Sequence, residues 1–133
     1  MNIFLLAMVL GTTNPTRIVA LTLLAEARGE GAVGMYAVGC VIRNRARERH
    51  ISMAAVCLQP KQFSCWNAGH IPDSLLNSKE GELAWKMAKR LMDGTGIDIT
   101  HGSNHYHATY CAPNWADPTH IVYRYRHHIF YRL

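Results

Sequence analysis

Asn14-Pro15-Thr16-Arg17-Ile18-Val19-Ala20-Leu21-Thr22-Leu23-Leu24-Ala25-Glu26-Ala27-Arg28-Gly29-Glu30 is the stretch that decides how this chain folds. An asparagine before a proline reads as a helix N-cap with proline at the first helical position. The helix then runs through Ile18, Leu21, Leu24 and Ala25 and is expected to fail at Gly29. It is apolar nearly all round, which predicts a central, buried helix. Thr22 and Glu26 are its polar exceptions. They stand one turn apart and so share a face. In a helix otherwise given to the core, that face opens to a cleft or meets buried partners.

Glu26 and Glu30 flank the expected break. A carboxyl held at the rim of an apolar wall has its pKa raised and can donate a proton near neutrality, as glycoside chemistry requires. Two solvated carboxylates at a helix end would give the same spacing, so the motif alone leaves both readings open.

Outward from this stretch, a second helix spans roughly residues 32–49. Val33, Tyr36, Ala37, Cys40, Val41 and Asn44 form its inner stripe, and the arginines at 43, 45, 47 and 49 cover much of the rest. Asn44 on that stripe either braces the loop after Glu26 or is a hydrogen-bonded core amide. Residues 50–77 are turn-rich, punctuated by Pro60, Gly69 and Pro72. Within them, residues 59–67 are dense in amides, hydroxyls and aromatic rings, the groups sugar clefts use. A third helix begins near Ser78 and ends before Gly94, with Ala84, Met87, Ala88 and Leu91 inward. After it the period becomes that of strands, over residues 105–107 and 121–126. The fold class is therefore α+β, mainly α, with a small C-terminal β element.

The 133 residues suit one compact domain, and 49% of them are apolar, so disorder is not expected. Lys plus Arg total 14 against 9 for Asp plus Glu, a net charge of +5, which favours anionic partners. The arginine run is the feature closest to a nucleic-acid contact. No zinc-finger spacing, aromatic RNP pattern or phosphate loop accompanies it, so a solvated helix face is the reading and no nucleic-acid partner is expected. Residues 1–11 are apolar but too short to span a bilayer and lack a basic leader, so they read as a packed segment. Cys40 reads as a core residue. Cys57 and Cys65 bracket a loop and can pair outside the reducing cytosol, and Cys111 reads as free. His105, His107 and His128 raise a zinc hypothesis, since histidines two apart on a strand share a face, but hydrogen bonding and aromatic packing are the commoner uses. No GxSxG nucleophile motif occurs.

The chain also resembles the SleB-type cell wall hydrolases. The resemblance is carried by residues 25–31 and 37–45, by Val56-Cys57 with residues 59–66, by Asn104-His105-Tyr106-His107-Ala108, by Pro113-Asn114-Trp115-Ala116 and by residues 128–132, in the family's order over about residues 17–132. It implies a lysozyme-like or lytic-transglycosylase-like helical domain with a cleft, and residues 1–133 as a single catalytic domain. It implies cleavage of the MurNAc–GlcNAc β-1,4 bond of peptidoglycan, leaving 1,6-anhydro-MurNAc ends. Glu26 matches the family's catalytic acid. Glu30 is a second catalytic candidate that holds the loop, tunes Glu26 or activates water. Tyr106 and His107 are expected to line the cleft, with Thr22, and Gln62, Phe63 and Trp66 to contact flanking sugars. No cofactor or metal is implied. A monomer acting on the wall, in the periplasm or outside the cell, is expected, with no stable membrane span and the export route left open. The alternatives are a hydrolytic muramidase, a zinc amidase and a non-catalytic wall-binding module.

Overall fold

A computed structural model describes residues 14–60, 62–63 and 73–133. Residues 1–11, Cys65 and Trp66 lie outside them, and so do the readings that fell there: the packed N-terminal segment, the Cys57–Cys65 pair and the sugar contact of Trp66.

Helix α1, Pro15–Ala27, starts as the sequence requires, with the Asn14 side chain accepting from the Arg17 N–H at 3.3 Å. Residues 18–24 are all buried. A helix with no polar stripe must be covered on every side, and over residues 18–24 α1 is. Helix α2, Gly31–Arg49, helix α3, Met53–Leu58, and helix α4, Lys79–Met92, all pack against it. The short α3, capped by Ser52 through its bond from the Ala55 N–H, stands in the segment read only as turns. Six residues give too little periodicity to be legible. Helix α4 is amphipathic, with Gly81, Ala84, Met87, Ala88 and Leu91 buried three and four apart and Ser78 as N-cap.

The end of α1 differs from expectation in one respect. The helix stops at Ala27, and Gly29 sits within a single 3-10 turn, Arg28–Glu30. The left-handed residue is Gly31, with φ +78°, and it redirects the chain into α2. Val33 also departs from the expected inner stripe. It is exposed, whereas Gly34, Met35, Val38 and Gly39 are buried.

Among the described residues three antiparallel strands close the fold: β1, His105–Ala108, β2, Ile121–Tyr125, and β3, His128–Tyr131. Their order is β1-β3-β2, so the last strand is central. Tyr106 pairs with Phe130 and Ala108 with His128, which places Tyr106, Ala108 and His128 on one face of the sheet.

The loop between α4 and β1 is held by α2. Tyr36 Oη donates to Ile97 O at 2.6 Å, and Arg43 Nη1 to Gly96 O at 2.5 Å. Asn44 gives both protons of its amide, to Asp98 Oδ2 at 2.9 Å and to Ser103 O at 2.8 Å. Asp98 also accepts from the Thr100 backbone and hydroxyl and from the Gly102 N–H. Burial raises the Asp98 carboxyl, but these hydrogen bonds outweigh it and hold the group below the usual carboxylate range. Asn44 thus braces the loop that leads into β1, not the loop after Glu26.

Candidate active site

Glu26 projects from the last turn of α1 toward β1. Tyr106 Oη donates to Glu26 Oε1 at 2.5 Å. Burial, the largest influence, lifts the Glu26 pKa above its ordinary value. The Tyr106 hydrogen bond and the charge of Arg45 pull it back without cancelling the rise.

Glu30 has the opposite environment. It is 8% exposed, and its two oxygens accept from the His127 backbone N–H at 2.8 Å and pair with His127 Nδ1 at 3.0 Å. Burial alone would raise its pKa. The bonds from His127, with the nearby His128 and His127 imidazoles, outweigh burial and hold it below the usual range. Gly34, one turn on in α2, makes room for this arrangement, because a Cβ there would lie 2.4 Å from Glu30 Cβ. His128 Nδ1 is buried without a hydrogen-bond partner, 4.0 Å from Glu30 Oε1. Burial, assisted by His127 and His107, keeps the His128 imidazole below its ordinary pKa against the pull of Glu30.

A depression of about 270 Å³ runs between these groups, lined by Glu26, Glu30, Ala108, Tyr110, His127 and His128. Tyr110 stands at its edge, 86% exposed. The two carboxyls expected to carry chemistry therefore share one concavity, and their pKa values are displaced in opposite directions. That is the pattern by which one carboxyl serves as acid while the other stays ionised.

The remaining sequence-predicted residues divide. Gln62 meets Arg45 at 3.0 Å through Oε1 and also Arg49 at 3.3 Å. Phe63 is 1% exposed, beneath the Arg45 guanidinium at 5.9 Å, so its ring is core and has no face to offer a sugar. Thr22 is likewise buried, its hydroxyl bonded to Ile18 O at 2.8 Å. The face it shares with Glu26 is closed at this turn and does not line the cleft. His107 bonds Ala108 O through Nδ1 and Tyr131 Oη through Nε2, both at 2.7 Å, so it locks the outer end of β1. His105 and His107 do share a face, but that face packs on Trp115, with ring centroids 5.0 and 5.6 Å away. His128 lies on the opposite face, so the three imidazoles do not converge. Among the described residues no group of three or more His, Cys, Asp or Glu is placed to hold a metal ion.

Sequence reasoning missed Arg45, His127 and Tyr110. Arg45 looked like part of a solvated face. Instead its Nε donates to Asn104 O at 2.7 Å and its charge acts on Glu26. Arg43 is buried too, so only part of the arginine run is solvated.

The cell wall hydrolase family matches residues 29–131. The chain belongs to that family. Two solved structures share its fold. One is the catalytic domain of the germination-specific lytic transglycosylase SleB from Bacillus anthracis, 24% identical, with TM-score 0.73 over 90% of this chain and 95% of that one. The other is the catalytic domain of Bacillus cereus SleB, also 24% identical, with TM-score 0.69 over 89% of each. Among curated proteins none matches the chain. The protein is thus a cell wall hydrolase, an enzyme on the SleB catalytic fold. The family match opens three residues after Glu26 and so does not include it.

Proposed function

We propose that this cell wall hydrolase cuts the MurNAc–GlcNAc β-1,4 bond of peptidoglycan glycan strands as a lytic transglycosylase, with Glu26 as both acid and base. The observation that carries this reading is the contrast between two carboxyls in one cleft: Glu26 has its pKa raised and accepts a hydrogen bond from Tyr106, while Glu30 has its pKa lowered and both oxygens engaged by His127.

Protonated Glu26 gives its proton to the glycosidic oxygen as the C1–O bond breaks. The substrate's acetamido oxygen closes on C1 and carries the positive charge. Glu26, now a carboxylate, then takes the proton of the C6 hydroxyl as that oxygen attacks C1 and releases the acetamido group. The acid is restored and the product has an anhydro end. Tyr106 holds Glu26 in place through both steps. A hydrolytic muramidase ordinarily needs a second carboxylate to activate water or act as nucleophile. Glu30 is the available one, and His127 occupies both its oxygens, which favours the single-carboxylate route. Among the described residues no donor set supports a zinc amidase.

The substrate places the enzyme's action at the wall, outside the inner membrane. No helix among the described residues is long and apolar enough to cross a membrane. The test is a mass-spectrometric profile of purified peptidoglycan digested by the protein and by Glu26→Gln. Anhydro-muramic ends that vanish in the variant are expected. Reducing ends would turn the reading to hydrolysis, and undiminished cleavage by Glu26→Gln would remove Glu26 from the mechanism.

A further inference from the structure

Glu30 and His127 are bonded twice, and the two bonds together fix the imidazole tautomer. Glu30 Oε1 accepts from the His127 backbone N–H at 2.8 Å, and Oε2 stands 3.0 Å from Nδ1 of the same residue. The Glu30 carboxyl lies below the usual range, so near neutrality both oxygens can only accept. A neutral imidazole facing it therefore carries its proton on Nδ1 and leaves a bare lone pair on Nε2. Nε2 has no hydrogen-bond partner among the described residues, and the side chain is 72% exposed. The ring lines the depression that holds Glu26. The other groups there are less open to a donor. Glu30 has both oxygens engaged, and His128, with Nδ1 covered, keeps only 10% of its side chain exposed.

We propose that His127 Nε2 accepts the acetamido N–H of the sugar whose bond is cut, and that Glu30 is the positioning residue that keeps Nε2 bare. The assignment rests on the substrate-assisted reaction proposed above for Glu26. In that reaction the acetamido oxygen bonds to C1 as the bond from C1 to the leaving sugar breaks, and the acetamido nitrogen takes up positive charge. Its N–H becomes a stronger donor. An acceptor facing it therefore stabilises the intermediate more than the bound substrate, which is the condition for a gain in rate. The proton stays on nitrogen throughout. When the C6 oxygen displaces the acetamido oxygen from C1, the charge is gone and the hydrogen bond returns to its first strength. A sugar hydroxyl would gain no charge in this step, so an imidazole backed by a carboxylate is matched to the acetamido N–H.

Glu30→Gln tests the arrangement with little change of shape. The His127 backbone N–H requires the amide oxygen on its side, which turns the amide NH₂ toward Nδ1. Nδ1 must then accept, and the proton moves to Nε2, where it meets another donor. Nitrogen-15 NMR of the intact, histidine-labelled protein at pH 8, above the ordinary imidazole range, reads both forms. The proton is expected on Nδ1 in the parent and on Nε2 in Glu30→Gln. Binding is then measured by calorimetry in a Glu26→Gln background, with purified glycan strands either intact or de-N-acetylated at their muramic residues. Glu30→Gln, and separately His127→Phe, should weaken binding of the intact strand about tenfold and leave the de-N-acetylated strand unchanged. A proton on Nε2 in the parent, or no transfer in Glu30→Gln, overturns the positioning role of Glu30. Equal losses on both strands, or no loss on either, overturn the acetamido contact while the Glu26 reaction stands. Strands left uncut by the parent overturn that reaction, and the acetamido contact with it, whatever the tautomers.

Discussion

Tyr106 and Glu26, 80 residues apart in sequence, meet at 2.5 Å, and this bond joins the sheet to the central helix. Its removal in Tyr106→Phe has a defined sign. The hydrogen bond favours the ionised carboxyl, so its loss lets burial raise the Glu26 pKa further. The alkaline limb of the pH–activity profile should move to higher pH, while the maximal rate falls about tenfold as the carboxyl loses its orientation. A profile measured on purified glycan strands checks both effects. An unmoved limb would mean that Tyr106 does not touch the Glu26 carboxyl in solution, or that Glu26 is not the proton donor proposed above.

Glu26 should also cost the protein stability. Its folded pKa lies above its unfolded one, so the folded state binds the extra proton. Stability is greatest below the ordinary glutamate pKa and declines as pH rises through the folded value. Glu26→Gln is therefore expected to melt at a higher temperature than the parent at pH 7, with the difference vanishing under acid conditions. Thermal denaturation at the two pH values reads this directly, and a destabilised variant at neutral pH would contradict it.

Glu30 has the reverse linkage. Its depressed pKa contributes stability above the ordinary carboxylate range, and that stability is lost as pH falls through the folded value. Glu30→Ala strips His127 of its acceptor and unties the turn after α1 from the β2–β3 turn. A loss of about 1–3 kcal/mol is expected at pH 7, from urea denaturation.

Gly34→Ala tests whether that tie needs a glycine. Alanine ordinarily stabilises a helix interior by up to about 1 kcal/mol over glycine. Here the new Cβ meets the Glu30 Cβ at 2.4 Å, and neither atom sits at the end of a flexible chain. The clash should win, giving a net destabilisation of about 1–3 kcal/mol and a weaker hold on His127. A stability gain would show that the α1–α2 turn is looser than this geometry.

Phe63→Ala distinguishes core from cleft. A ring this buried should cost about 3–5 kcal/mol in stability on truncation. A variant of normal stability with a raised KM for glycan strands would return Phe63 to the sugar-binding surface.

The helical frame was readable because its signals are local. Asn14-Pro15 and Ser78 are caps, α4 has a clear apolar stripe, and α1 has none because it is covered on all sides. That Glu26 would border a concavity was readable because a charged residue at the end of such a helix needs solvent or a partner. What stayed hidden depends on distant contacts. Nothing near Thr22 tells that its face closes one turn before Glu26. Nothing near Arg43 or Arg45 says which arginine turns inward, since that is set by the loop of residues 96–104 laid against α2. The place of His127 follows from a turn that brings its main chain to Glu30 across 97 residues.

The central position of β3 has a consequence for how the enzyme comes into being. β1 and β2 are not neighbours, and each finds its ladder only when residues 128–131 lie between them. While the chain is being made, the helices can collect around α1, but the strand that holds Tyr106 has no partner and the turn that carries His127 has not closed. The cleft is therefore assembled only once residues 128–131 are in place, after the helices that form its other wall.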